Sequence, residues 1–425
     1  MSSTKLFTLE GKSLKLDSAA DIEPHLKDLV ASNDVEEARF QGNTLGVEAC
    51  EALAKVLETK KTLKTINLAD IFTGRLLSEI PTALTHLLTA LLALPNLTTV
   101  NLSDNAFGLN TVEPLRPFLS QHAPLQHLIL NNNGLGPAAG TLVAEALTQL
   151  ATKKQTLREQ GNASIPDLAT VVCGRNRLET GSMAAWVQAY SVHTSIQTVK
   201  MVQNGIRQEG ISSLLQNGLS KCHALKVLDL QDNTFTAMGA RALADVVGSW
   251  TRLIELGVGD SLLSARGGVM LVDALSKGKN TSLEILRLQY NEIDAKGLDR
   301  LARVAEAGHL PALRRVEVNG NKFSEDHPAL EVLKIVLDAR KAQLAPDADD
   351  EDEDAWGIDE LDDLEDESDE EDGDGDEDED ENEDEDEDEE EKIVKEADLA
   401  ESEPVAADHD KTIDDLADRL GKTGI

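Results

Sequence analysis

Cysteine is scarce. Cys50, Cys173 and Cys222 lie far apart in a chain of 425 residues, and no CxxC occurs. That argues against a disulfide framework and a zinc ribbon, and it suits a reducing compartment. Aromatic residues make up only 3% of the chain. The core must then consist of small aliphatic side chains, which favours stacked thin layers over one large sandwich. Long apolar runs are missing. The most apolar stretch, Leu87 to Leu94, stops at Pro95, far short of the roughly 20 residues a membrane-spanning helix needs. The opening residues MSSTKLFTLEGK lack the apolar core of a signal peptide. A soluble, intracellular protein is expected, with no membrane partner.

Enzyme signatures are missing as well. Neither HExxH nor GxSxG occurs. Gly11-Lys12-Ser13 and Gly421-Lys422-Thr423 resemble the end of a phosphate loop, but Leu6 and Leu416 stand where its first glycine belongs. His122 and His127 read as ordinary surface histidines. No self-contained active site, metal or cofactor is expected.

Positive charge is in short supply, and unevenly so. Lys plus Arg number 40 against 79 Asp plus Glu, for a net charge of −39. From Lys341 onward there are 43 acids and 6 bases, whereas 1–340 carries a net charge of only −2. The reading is a folded domain over 1–345 and an acidic tail over 346–425. In Asp347 to Glu391, 34 of 45 residues are acidic, with almost nothing to bury, so disorder is expected there. Farther on, Ile413 to Leu420 reads as a frayed tail in preference to a short amphipathic helix. Phosphate contact needs local positive charge, so nucleic acid is not an expected partner of the tail. A basic protein surface is compatible with it, within a screened reach of about 8 Å.

What is present in quantity is a repeat. L-x-x-L-x-L-x-x-N-x-L is clearest at Leu97–Val100–Leu102–Asn105–Phe107 and Leu125–Leu128–Leu130–Asn133–Leu135. The Asn frame falls at 43, 71, 105, 133, 176, 204, 233, 261, 291 and 321, with Ile71 and Ser261 replacing the Asn. Successive gaps are 28, 34, 28, 43, 28, 29, 28, 30 and 30. This predicts an α/β leucine-rich repeat solenoid of ten to eleven repeats. Parallel strands line the concave face and helices the convex one. Each Leu-x-Leu places two side chains on one side of a strand. Ala/Leu spacing such as Ala242, Leu243, Val246 and Val247 gives the helix. Ser13 to Leu16 reads as an unpaired leading strand, and Val332 to Leu344 as a closing helix.

The residue before each Asn should project from one end of the strand row. These residues are Gly42, Asp70, Asp104, Asn132, Arg175, Gln203, Asp232, Asp260, Tyr290 and Gly320. They form a polar strip with acids on both sides of Asn132, read as a docking ridge for a protein with a basic surface. Asn105 and Asn131 adjoin it and are counted among the contact residues. Two insertions break the period. One contains Asp70 to Arg75. The other, around Lys153 to Pro166, is expected to be a loop.

Several strings carry a closer resemblance: EGKSLKLD near the start, ADIFTGR at 69–75, LSDNAFG at 102–108 and NNGLGP at 132–137. CGRNRLE at 173–179, VKMVQNGIR at 199–207, VLDLQDNTF at 227–235, LLSARG at 262–267 and LRLQYNEI at 286–293 extend it. The body 1–340 resembles the Ran GTPase-activating proteins in their fungal form. Nothing matches the plant-type N-terminal targeting segment or the folded C-terminal domain of animal forms, so nuclear-envelope attachment through them is not expected. The resemblance implies activation of Ran-GTP in trans, in support of nucleocytoplasmic transport. Ran itself would hold the GTP and Mg and supply the glutamine that orients the attacking water. By matching NNGLG, Asn132 would be the asparagine that holds this glutamine, and Arg75 of IFTGR would support the interface without acting as an arginine finger. A monomeric, cytoplasmic protein is implied, acting on Ran with or without a Ran-binding protein. The competing reading is a non-catalytic repeat protein whose acidic tail binds histones. Such proteins have only a few repeats. A ribonuclease-inhibitor type of function is disfavoured by the low cysteine count.

Overall fold

The computed structural model describes residues 5–344 and 355–364. The chain divides into Met1–Glu370 and Glu371–Ile425, and both described stretches belong to the first unit. Most of the acidic run and the segment 413–420 lie outside the described residues.

Each repeat contributes a three-residue strand whose middle side chain is buried; the outer two are half-exposed in most, as in Thr99–Asn101 and His127–Ile129, while Asp229 and Gly257 are buried as well. Among the described residues, twelve strands form one parallel sheet in sequence order. The register sets core residues side by side: Ile66 beside Val100, then Leu128, then Val171. The helices cover the other side. Ala295–Glu306 begins at Asp294, whose carboxylate accepts the Gly297 N–H at 2.8 Å. Its Leu298, Leu301, Ala302 and Ala305 are buried at helical spacing. The solenoid is α/β, as the repeat predicts, and no helix among the described residues is long and apolar enough to cross a membrane.

The frame asparagines hold neighbouring turns together. The Asn133 Oδ1 accepts the Asn105 N–H at 2.8 Å, and its Nδ2 donates to Leu102 O at 3.2 Å and Asn131 O at 3.0 Å. Asn176 repeats this toward Asn133, and Asn204 toward Asn176. Side-chain amides thus satisfy backbone groups that a buried turn would leave unpaired. At the exceptions, the Ile71 carbonyl takes the Leu45 N–H, and the Ser261 hydroxyl donates to Gly259 O.

Three expectations need correcting. The leading strand is Leu6–Thr8, not Ser13 to Leu16, and it pairs with Glu37–Arg39. Lys15–Leu16 is paired too, with Thr44–Leu45 in a separate two-stranded sheet. The insertion at 153–166 is not simply a loop, because the helix Gly136–Glu159 continues into it and only the stretch after Glu159 is loop. There the buried Lys154 ammonium donates to Ala123 O, Leu125 O and Pro166 O, all at 2.7 Å. Those three carbonyls pin the extra turns to the body, and burial pushes the Lys154 pKa down to about 8. Arg158 closes the return by bonding Ile165 O at 3.0 Å and Asp167 at 2.6 Å.

The third correction concerns the tail. The closing helix is Pro328–Leu344, but order does not end there. Gly357–Ile358 adds a further parallel strand beside Arg315–Glu317. The Asp359 carboxylate accepts the N–H groups of Val318 and Asn319 at 2.8 and 3.0 Å. Arg314 lies over the Trp356 ring at 5.7 Å. Ile358, Leu361 and Leu364 pack on the core. An acidic composition hid a capping strand, because three apolar residues and one well-placed carboxylate suffice to cover a sheet edge.

Candidate functional site

The strip before the frame asparagines has a backbone cause. All ten residues are left-handed, with φ between 48° at Asp70 and 73° at Gly42. Gly, Asn and Asp tolerate this region best. Seven of the ten positions are therefore occupied as the backbone prefers, and acids on this edge are not by themselves a sign of a basic partner. Arg175, Gln203 and Tyr290 run against that preference, at about 1 kcal/mol each.

Asn132 is exposed between two fixed neighbours. Its N–H donates to Gly174 O at 2.9 Å, and the Asp104 N–H donates to Asn131 O at 2.9 Å. The Asn131 Oδ1 is turned inward onto the Gly174 N–H at 2.6 Å, and the Asn131 N–H donates to the Ser103 hydroxyl at 3.1 Å. The Asn132 Nδ2 donates to the Asp104 carboxylate at 2.8 Å. These residues and Arg175 line an open depression of about 480 Å³ on the strand face. Arg175 is exposed there.

Sequence reasoning placed Asn105 among the contact residues, and the structure withdraws it. Asn105 is buried and its Nδ2 is bound by Leu68 O, Leu102 O and Ser103 O. It is a frame asparagine with nothing left to offer a partner. Gln203, Asp232 and Asp260 line a second depression farther along the strip. Burial, and then the neighbouring Asp260 charge, push the Asp232 carboxyl up. Asp70 bonds the Thr73 hydroxyl. Tyr290 lays its ring over Gly320 and bonds Asp363 at 2.7 Å, so the capping strand reaches the strip.

Arg75 lies in the inserted loop but is not an exposed cation. Its side chain is 10% exposed. The guanidinium binds Asp17 at 2.5 Å, Thr44 O at 3.0 Å, Thr44 Oγ1 at 3.1 Å and Leu16 O at 3.4 Å. It clamps the inserted loop to the small Lys15–Leu16 and Thr44–Leu45 sheet. Gly46 is required beside this clamp, since a Cβ there would lie 2.4 Å from Asp17 O. Nothing in the sequence pairs Asp17 or Thr44 with an arginine 58 or 31 residues away. No metal-binding group of His, Cys, Asp or Glu occurs among the described residues.

The strand face itself is divided. From Thr65 to Val172 the outward strand residues are uncharged: Thr65, Asn67, Thr99, Asn101, His127, Ile129, Thr170 and Val172. Farther on they include charged residues, which pair with one another. Lys200 and Arg287 bind Glu255 at 3.2 and 2.6 Å, and Arg287 also binds Glu317 at 3.1 Å. Asn132 thus lies beside the uncharged part of the strand face.

Comparison with known proteins agrees with this architecture. The leucine-rich repeat family model matches residues 221–244 and 279–302. Ran GTPase-activating protein 1 of Saccharomyces cerevisiae is 39% identical over 341 residues, which is 79% of this chain and 82% of that one. This chain belongs to the Ran GTPase-activating protein family. Family members from animals match over less of their length. The Drosophila melanogaster protein is 32% identical over 75% of this chain and 52% of its own. Ran GTPase-activating protein 1 of Xenopus laevis is 40% identical over 47% of this chain and 34% of its own.

Proposed function

We propose that this chain accelerates GTP hydrolysis by the small GTPase Ran, in trans and without an arginine finger. Family membership carries the reading, through a relative of that name matched over 82% of its length. The GTPase holds GTP and Mg and supplies the catalytic glutamine. Asn132 holds that glutamine in its productive pose. Two observations support the assignment. Asn132 is exposed on a backbone fixed from both sides. Arg75, the other residue implied by the resemblance, is bound into the body and is not extended toward a partner. Its role is to brace the loop beside the interface. The partner surface comprises Asp70, Asn131, Asn132, Arg175, Gln203, Asp232 and Asp260 of the strip, with Asp104 bonded to Asn132 between them. The protein acts as a cytoplasmic monomer, on Ran-GTP alone or with a Ran-binding protein present.

The test is single-turnover hydrolysis by Ran-GTP with and without saturating protein. Strong acceleration is expected from the full chain and from a chain ending at Leu364, and almost none from Asn132→Ala. Absence of acceleration by the full chain refutes the function. Full acceleration by Asn132→Ala refutes the mechanism. Loss of acceleration with the tail alone would favour the reading as an acidic, basic-protein binder.

A further inference from the structure

Asn132 has a primary amide, with one acceptor oxygen and one donor nitrogen, and the two ends do opposite things to a partner. Its neighbour decides which end is offered. Asp104 is a carboxylate and accepts only. It lies 2.8 Å from the Asn132 Nδ2. An amide turned the other way would set its oxygen against a carboxylate oxygen. The Asp104 backbone is tied to Asn131 O, and its φ of 61° sets it at the same left-handed corner as Asn132, so the two side chains leave the strip side by side. On the far side Gly174 fixes the Asn132 backbone.

We infer that Asp104 is a positioning residue that sets the polarity of Asn132, turning its Nδ2 inward and its Oδ1 outward as a hydrogen-bond acceptor. This rests on the proposed role of Asn132 toward a glutamine of the GTPase. The consequence is a directed chain. The outward oxygen of Asn132 accepts from the glutamine NH2. The glutamine C=O is then left free to accept from the attacking water, which is the orientation that aims a water lone pair at the phosphorus. With Asn132 reversed, its NH2 would donate to the glutamine C=O and occupy the acceptor that the water needs. Covering the site with a partner excludes water and strengthens the Asp104–Asn132 bond where it matters. Asp104 therefore acts through Asn132 and is not itself a partner contact.

The variants are Asp104→Asn and Asp104→Gly, both compatible with a left-handed backbone. An Asn at 104 satisfies Asn132 in either orientation. Full-length protein is assayed on Ran-GTP for kcat and KM, alone and combined with Asn132→Ala. Selective labelling of asparagine reads the Asn132 side-chain NH2 resonance in the free protein. Expected are a loss of kcat of about twofold or more with KM nearly unchanged, no further loss when either change is added to Asn132→Ala, and a displaced Asn132 NH2 signal. A raised KM at full kcat would make Asp104 a charge contact and overturn the inference, as would losses that add to those of Asn132→Ala. An unmoved Asn132 signal overturns it irrespective of activity. If Asn132→Ala is inactive while Asp104→Asn keeps full kcat, only the positioning role falls. If Asn132→Ala is fully active, the reading of Asn132 and this inference fall together.

Discussion

Replacing Arg75 by Ala separates a brace from a chemical participant. The guanidinium makes its shortest neutral contacts with Thr44, at 3.0 Å to the carbonyl and 3.1 Å to the hydroxyl. Charge-assisted bonds of this kind contribute about 1.5 kcal/mol each at the low end. The Leu16 contact at 3.4 Å is long and adds little. The pair with Asp17 is discounted because that carboxylate is half-exposed. The loss is then about 3 kcal/mol, which corresponds to roughly a hundredfold rise in local opening. Solenoid turns depend mainly on their neighbours, so the loss should remain local. Hydrogen exchange followed by mass spectrometry should show protection falling about a hundredfold at 14–17 and 44–46, with turns beyond Val172 unchanged. Acceleration of Ran-GTP hydrolysis should fall in parallel, and Arg75→Lys should lie between, since an ammonium cannot span the same fork of acceptors. If Arg75→Ala abolishes acceleration while exchange at 14–17 and 44–46 stays at the wild-type level, Arg75 is not a brace and the reasoning fails.

The adjacent asparagines should behave oppositely. Asn133→Ala strands three buried backbone partners and should cost about 3 kcal/mol or more in denaturant unfolding. Asn132→Ala should cost only about 1 kcal/mol, from a left-handed alanine, while removing activation. Acid stability should depend on His122, whose Nε2 bonds Leu97 O at 2.7 Å and whose pKa burial depresses to about 4. The unfolded chain takes up this proton near pH 6.5 and the folded chain does not, so stability is full above 6.5 and falls as the pH drops toward 4, by about 3 kcal/mol. In His122→Gln the unfolding free energy should fall less steeply over that window; an unchanged slope would count against it. Truncation after Leu364 should leave thermal stability unchanged, whereas truncation after Leu344 removes the strand beside Arg315–Glu317 and should lower the melting temperature by a few degrees. Equal melting temperatures would show that the strand does not cap the sheet.

The repeat, its period and the frame asparagines were legible in the chain, because each follows from local chemistry. Leu-x-Leu buries one side of a short strand, and an amide at a tight turn satisfies backbone groups. The position of Asn132 followed from the same frame. Contacts between residues far apart in sequence were not legible. Arg75 reads as a loop cation until Asp17 and Thr44 are brought to it from the first two turns of the solenoid. Lys154 reads as a surface lysine until three carbonyls converge on it. The segment 355–364 reads as tail until the open edge at Arg315–Glu317 gives it a partner. The acids of the strip say less about charge than their number suggests, because the left-handed backbone favours Asp at those positions. Sequence by itself determined a solenoid and the projecting position of Asn132, since both are set within single repeats. Only the tertiary structure decided which way that amide faces, because its orientation is held by Asp104 on the neighbouring turn, 28 residues away.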